Sequence, residues 1–189
     1  SGFNVTAQCA TGYVGDAVAT ACTTSGPYTL SGCSEIICSQ PTDITGYTVT
    51  NTQLNVVSGF DVTPLCDTAN GYEGTAVATA CTTSGDYTLS GCSAIQCTRP
   101  AVTTGYDITE EQLDLSAGDF NVSVSCAGGY EGTAVANSCS ESGDYTLSGC
   151  SAIQCIPPAV TTGYTVTENE LNVATGFDVT PLCYTANGY

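Results

Sequence analysis

The chain contains no histidine, lysine, tryptophan or methionine, and Arg99 is its one basic residue. General bases and nucleophiles are drawn mostly from His, Lys, Cys and paired carboxylates, so with the first two missing an enzyme is not expected. Nucleic acid and anionic lipid both call for clustered Lys or Arg, and neither is an expected partner. The lysine-based isopeptide crosslinks that staple some surface fibres are excluded. No apolar run reaches the roughly 18 residues of a membrane span, so no membrane insertion is expected in this segment. No signal peptide is visible, and any such segment is expected outside these residues. C-x-x-C pairs are missing too, which with the lack of histidine removes most ligands of the common zinc sites. No cofactor is expected.

What is present is 13 cysteines and 18 acidic residues in 189, a formal charge of −17. Cysteine at this density reads as disulfide, and disulfides persist in oxidising surroundings, so the expected location is extracellular or secretory. The acids are mostly dispersed singly, which suits the solubility of an exposed assembly. The exception is Asp107, Glu110, Glu111, Asp114 and Asp119, a calcium candidate without the spacing or glycine of a helix-loop-helix site. Glu110-Glu111 and Glu168-x-Glu170 read as solvated strand or loop faces.

The dominant pattern is repetition. Residues 71–97 recur as near-copies at 12–38 and 129–155, and a fourth copy starts at Gly188-Tyr189. Cysteines stand at 9, 22, 33, 38, 66, 81, 92, 97, 126, 139, 150, 155 and 183, with steps of 11 and 5 that do not vary and one loop of 13 or 15 residues that does. The short loop follows Cys9 and Cys126; the long one follows Cys66 and begins again after Cys183. Shifting the chain by 117 residues lays 1–72 on 118–189 without a gap and with roughly two thirds of positions identical, so the true unit is a pair of modules. Each module is too small to be secure without covalent staples.

Strict alternation in Phe60–Cys66, Phe120–Cys126 and Thr75–Cys81 predicts half-buried strands with Phe, Val and Cys facing inward. Residues 48–50 and 54–56 read as shorter strands, and Ser84-Gly85-Asp86 and Ala69-Asn70-Gly71 as turns. No helical periodicity of useful length occurs. The fold class is all-β.

These residues resemble the sushi, or complement control protein, module, in which a first Cys and a Pro precede a second Cys with Gly-Tyr and Gly, a third Cys, Gly-x-aromatic and a fourth Cys. Here the series runs Cys38, Pro41, Cys66, Gly71-Tyr72-x-Gly74, Cys81, Gly85-x-Tyr87, Cys92, and again Cys97, Pro100, Cys126, Gly129-Tyr130-x-Gly132, Cys139, Gly143-x-Tyr145, Cys150. The resemblance covers essentially the whole chain. It implies small disulfide-stapled β-sandwich modules in an elongated string, with boundaries at 1–37 (a second half), 38–96, 97–154 and 155–189 (a first half). The family's core tryptophan is replaced by Tyr28, Tyr87 and Tyr145, which keep the ring but require a partner for the hydroxyl.

Four cysteines permit three connectivities; the resemblance implies first with third and second with fourth. That gives Cys9–Cys33, Cys38–Cys81, Cys66–Cys92, Cys97–Cys139 and Cys126–Cys150. Cys22, Cys155 and Cys183 then need partners outside this window, as expected of a stretch cut from a continuous array. Neighbouring chains are the alternative source, ranked lower because residues 1–13 and 177–189 duplicate one part of a module.

Asn4-Val5-Thr6 and Asn121-Val122-Ser123 are N-glycosylation sequons 117 residues apart, each Asn expected to point outward from its strand. Abundant threonine suits β-structure and solvated loops, with O-glycosylation a further use. Together these features point to a structural extracellular repeat protein that forms or decorates a filament, stalk or surface appendage. Its expected partners are copies of itself or neighbouring repeats, and covalent glycans. The alternative is an adhesin or receptor-type ectodomain that binds a protein or glycan. Sameness of surface favours the first: 48–56 and 165–173 are near-copies, and a periodic surface suits self-association.

Overall fold

A computed structural model describes residues 2–183. The start of the fourth copy, at 188–189, lies outside them. The chain divides between Ala94 and Ile95 into two compact units. The first unit holds β1 (Tyr13–Thr20), β2 (Thr29–Glu35), β3 (Cys38–Ser39), β4 (Tyr47–Gln53), β5 (Asp61–Cys66), β6 (Tyr72–Thr79), β7 (Gly85–Asp86) and β8 (Thr88–Ala94). The second holds β9 (Cys97–Thr98), β10 (Tyr106–Gln112), β11 (Asn121–Cys126), β12 (Tyr130–Asn137), β13 (Gly143–Asp144), β14 (Thr146–Ala152), β15 (Tyr164–Glu170) and β16 (Asp178–Cys183).

The fold is all-β, with five disulfides stapling small sheets: Cys9–Cys33, Cys38–Cys81, Cys66–Cys92, Cys97–Cys139 and Cys126–Cys150. Every sheet has two strands. In residues 38–94, the antiparallel pairs β4–β5 and β6–β8 supply the walls, and the parallel two-residue pair β3–β7 closes one end. Residues 97–152 repeat this with β10–β11, β12–β14 and β9–β13.

Period-two patterning explains the walls. Along β5 and β11, exposed and half-buried residues alternate strictly, so Val62, Pro64 and Cys66 line one face while Asp61, Thr63 and Leu65 meet water. The β6–β8 type of hairpin bends at a bulge between Gly74 and Val77. There Gly74 and Gly91 lie back to back: a Cβ on Gly74 would meet the Gly91 carbonyl oxygen at 2.1 Å, and both have positive φ. Only glycine allows two backbones this close.

Three expectations need correction. Residues 54–56 are not a strand. Side-chain caps turn the chain there, with the Asn55 amide donating to Gln53 Oε1 and the Val57 amide to Asn55 Oδ1. Ser84-Gly85-Asp86 is not a free turn: Gly85–Asp86 pair with Cys38–Ser39, and Ser39 Oγ donates to Asp86 Oδ1 at 2.6 Å. Residues 3–9 alternate like β5 yet form no strand, because no strand among the described residues pairs with them. The loop insertion after Cys66 is a single 3-10 turn, Thr68–Asn70, closed by Gly71 in the left-handed region.

Very little is fully enclosed. The buried apolar residues are Ile36, Cys38, Tyr87, Ile95, Cys97, Cys139 and Tyr145. The chain exposes 12095 Å². A single globule of 19.1 kDa would expose about 8,400 Å², and two of half that mass about 10,000 Å² together. The disulfides therefore carry stability that a larger core would otherwise supply.

Candidate functional site

Two features recur in a form that chemistry or assembly can use, the buried tyrosine and the joint between modules, and a third, the open β15–β16 face, occurs once.

Tyr87 and Tyr145 are each 1% exposed and meet the edge of Phe60 and Phe120 at a centroid distance of 5.6 Å. Their hydroxyls go to the equivalent inward-facing position of the neighbouring strand, occupied by different chemistry. Tyr87 donates to Asn51 Oδ1 at 3.0 Å, and Asn51 Nδ2 in turn donates to Gln40 Oε1. Tyr145 donates to Glu110 Oε1 at 2.8 Å, and Arg99 grips the same carboxylate through Nε and Nη2, both at 3.0 Å. The Arg99 guanidinium, followed by the Tyr145 hydroxyl, holds the Glu110 carboxyl below its ordinary range. Burial, followed by the carboxylate, pushes the Tyr145 phenol up to about 12. Glu110 thus faces inward, against its expected place on a solvated face. Tyr28, the third of the set, is 47% exposed and packs on Phe3.

The remaining acidic candidates are not brought together. Asp114 caps a turn, accepting from the Ser116 amide and hydroxyl, and at the equivalent sites Asn55 accepts from the Val57 amide and Asn172 from the Ala174 amide. Glu111 accepts from Asn121 Nδ2 and Glu170 from the Asn172 amide, while Asp107 points outward from β10. Among the described residues no group of three or more potential ligands gathers into a metal site. Glu111, Asp114 and Glu170 each stand where a local backbone or side-chain donor holds them.

The joints are built from backbone. In the first unit the Ile36 amide donates to the Gly12 carbonyl at 2.8 Å, and the Ile36 carbonyl accepts from the Val56 amide at 3.0 Å. The Cys38 amide adds a bond to Leu54 at 2.9 Å, so the linker is laced to the module on each side. In the second unit Ile153 donates to Gly129 and accepts from Val173, and Cys155 donates to Leu171, each at 2.9 Å. Gly129 has φ +87 and its missing Cβ would lie 2.8 Å from Ala174 Cα. The constant five-residue step between cysteines is legible in the sequence, but these bonds are not, because their partners lie about 20 residues away.

The third feature is the β15–β16 face. Cys155, Ile156, Val160, Tyr164, Glu168 and Phe177 line a cavity of about 470 Å³, with Ile156 84% exposed. Cys155 is an unbridged thiol, as are the exposed Cys22 and Cys183. Asn121 lies exposed on β11, and Asn4 lies exposed in the unpaired segment, not on the expected strand.

The fold defines a class: an all-β, disulfide-stapled tandem repeat. Comparison with protein-family models, curated proteins and solved structures finds no match to this chain. No helix among the described residues is long and apolar enough to cross a membrane.

Proposed function

We propose that the chain is part of an extracellular structural protein whose sushi-like modules build or decorate a filament, stalk or surface appendage. One observation carries this reading. The joint of Gly12, Ile36 and Val56 recurs 117 residues later as Gly129, Ile153 and Val173, with the same backbone bonds. A joint whose linker is bonded through its backbone to the strands on each side restricts swing between modules, and a periodic joint yields a periodic object. The large exposed area supports the same reading, since solvent-facing Leu65, Val77 and Leu30 suit cover by neighbours or by glycan. Glycans on Asn4 and Asn121 would recur once per module pair. Electron microscopy of native material tests the proposal: ordered fibres are expected, and dispersed flexible monomers with one saturable ligand would favour an adhesin or receptor ectodomain instead.

A further inference from the structure

Resting on the glycan proposed for Asn121, we infer that the outward face of β10–β11 is a carbohydrate-binding groove, and that the sugar it holds is the one carried by Asn121 itself. Period two sets the face. Asp107, Thr109 and Glu111 of β10 and Asn121, Ser123 and Ser125 of β11 are exposed, while the residues between them are half-buried. Antiparallel register puts Asp107 against Ser125 and Thr109 against Ser123, with Glu111 in the bulge beside Asn121. An open depression of about 350 Å³ begins at the sequon's own Ser123 and is lined by Thr109, Ser125 and Asp107 as well.

The lining has its polar capacity to spare. Glu111 and Asn121 are bonded to each other. Among the described residues, no hydrogen bond within the chain reaches the Asp107 carboxylate or the hydroxyls of Thr109, Ser123 and Ser125. That leaves a carboxylate with two acceptor oxygens beside three hydroxyls that each donate and accept. Neighbouring hydroxyls on a sugar ring match this set, and those that donate to the carboxylate make the stronger, charge-assisted bond.

The other module type supplies the contrast. Its β4–β5 hairpin has the same register, but Asp61 stands at the place of Asn121, and the pair equivalent to Asp107 and Ser125 is Thr48 and Leu65, with Leu65 62% exposed. Solubility would be served by a polar residue at 65 as well as at 125. The sequon and the carboxylate–hydroxyl pair, about 14 Å apart along one strand face, are instead present together in one module and absent together in the other.

Attachment favours docking. The sugar arrives from an activated glycosyl diphosphate: its C1 bonds Asn121 Nδ2, the diphosphate leaves with the electron pair of the C1–O bond, and Nδ2 gives up one proton. The hydrogen that remains on Nδ2 stays with Glu111, which holds the amide plane and leaves the other position to the sugar. A short link presents the glycan to the groove at millimolar effective concentration, so a few exposed hydrogen bonds hold a tethered sugar where a free one would leave. A glycan lying along β10–β11 coats each module pair at one fixed place.

The test uses the 189-residue chain secreted by a host that N-glycosylates, with isotope-labelled sugars. Nuclear Overhauser contacts from sugar protons to the Thr109 methyl group are expected, and a peptide N-glycosidase should release the glycan several-fold more slowly from the folded chain than from the reduced, unfolded one. Asp107→Thr combined with Ser125→Leu installs the pair around which the other module already folds. It should leave Asn121 occupied, lose the Thr109 contacts and bring release toward the unfolded rate, while retention of Cys97–Cys139 and Cys126–Cys150 checks that the variant folds. A release rate that the paired substitution leaves unchanged overturns the inference. An occupied Asn121 whose sugar tumbles freely, without Thr109 contacts, overturns the inference and leaves the glycosylation and filament readings standing. An Asn121 found bare in native material overturns the glycosylation reading together with it.

Discussion

Tyr145 places its hydroxyl 2.8 Å from Glu110 Oε1, on a carboxylate already gripped by Arg99. The equivalent Tyr87 reaches the neutral amide of Asn51. A hydrogen bond to a charged group is worth about 1.5–3 kcal/mol net and a neutral one about 0.5–1.5. Tyr145→Phe should therefore destabilise residues 97–152 by about 2 kcal/mol, and Tyr87→Phe should destabilise 38–94 by about 1. Hydrogen exchange of β12–β14 and β6–β8 amides under mild denaturant resolves the two modules, and the reverse order of effects would refute the assignment.

The same difference predicts an acid response. Because the Glu110 carboxyl is held below its ordinary value in the folded state, its contribution is complete above the unfolded carboxyl pKa. It disappears as pH falls through the lowered folded value. Residues 97–152 should lose protection in that window beyond any loss in 38–94, whose Asn51–Gln40 pair does not titrate. Glu110→Gln should shrink the difference to the part carried by Asp114, whose carboxyl the Ser116 hydroxyl also holds below its ordinary range. At the alkaline end, Tyr145 should be among the last tyrosines to ionise, near pH 12, a step that Tyr145→Phe removes from an ultraviolet titration.

Gly129→Ala should loosen one joint without unfolding its module. The left-handed backbone alone costs about 1–2 kcal/mol for an alanine, and the new methyl would press on the Ala174 backbone. The amides of Ile153 and Val173 should exchange faster while those of β12 and β14 stay protected. Gly128→Ala is the control, because nothing lies within 4 Å of its Cβ position.

Removing Cys97–Cys139 by paired serine substitution should cost about 4 kcal/mol on the chain-entropy account for a loop of this length, whose cysteines are 42 residues apart. With so few enclosed residues to compensate, residues 97–152 should unfold at moderate temperature while 38–94 persists. Mapping by protease susceptibility would show this, and a resistant module would mean that burial has been undervalued.

Glycopeptide mapping of native material should find both Asn4 and Asn121 occupied. At Asn121 the side-chain nitrogen donates one hydrogen to Glu111 and has a second to exchange for the glycan, so Glu111→Ala should not reduce occupancy. Loss of the sugar in that variant would assign Glu111 a positioning role.

Much of the fold was legible because it repeats. Cysteine spacing marked the modules, and alternation in 60–66 and 120–126 marked strands together with their inward faces. Tyrosine at the position where the resembled module carries tryptophan also announced that a hydroxyl partner must exist. Its identity was not legible, since Asn51 and Glu110 lie 36 and 35 residues from their tyrosines, and only register brings them there. The parallel pair β3–β7 is too short to leave a periodic trace. Alternation also overcalled residues 3–9, because a strand is defined by its neighbour and pattern reports only its faces.

The crossed pairing of the disulfides has a mechanical consequence. A pull transmitted from Cys38 to Cys97 passes through the Cys38–Cys81 bond and then only the 16 residue steps from Cys81 to Cys97, bypassing the 43 between the bridged cysteines. Even with every hydrogen bond broken, that path pays out roughly 55 Å at full extension. Tension is borne by covalent bonds long before the chain is unravelled, which caps the length to which each module can be drawn out.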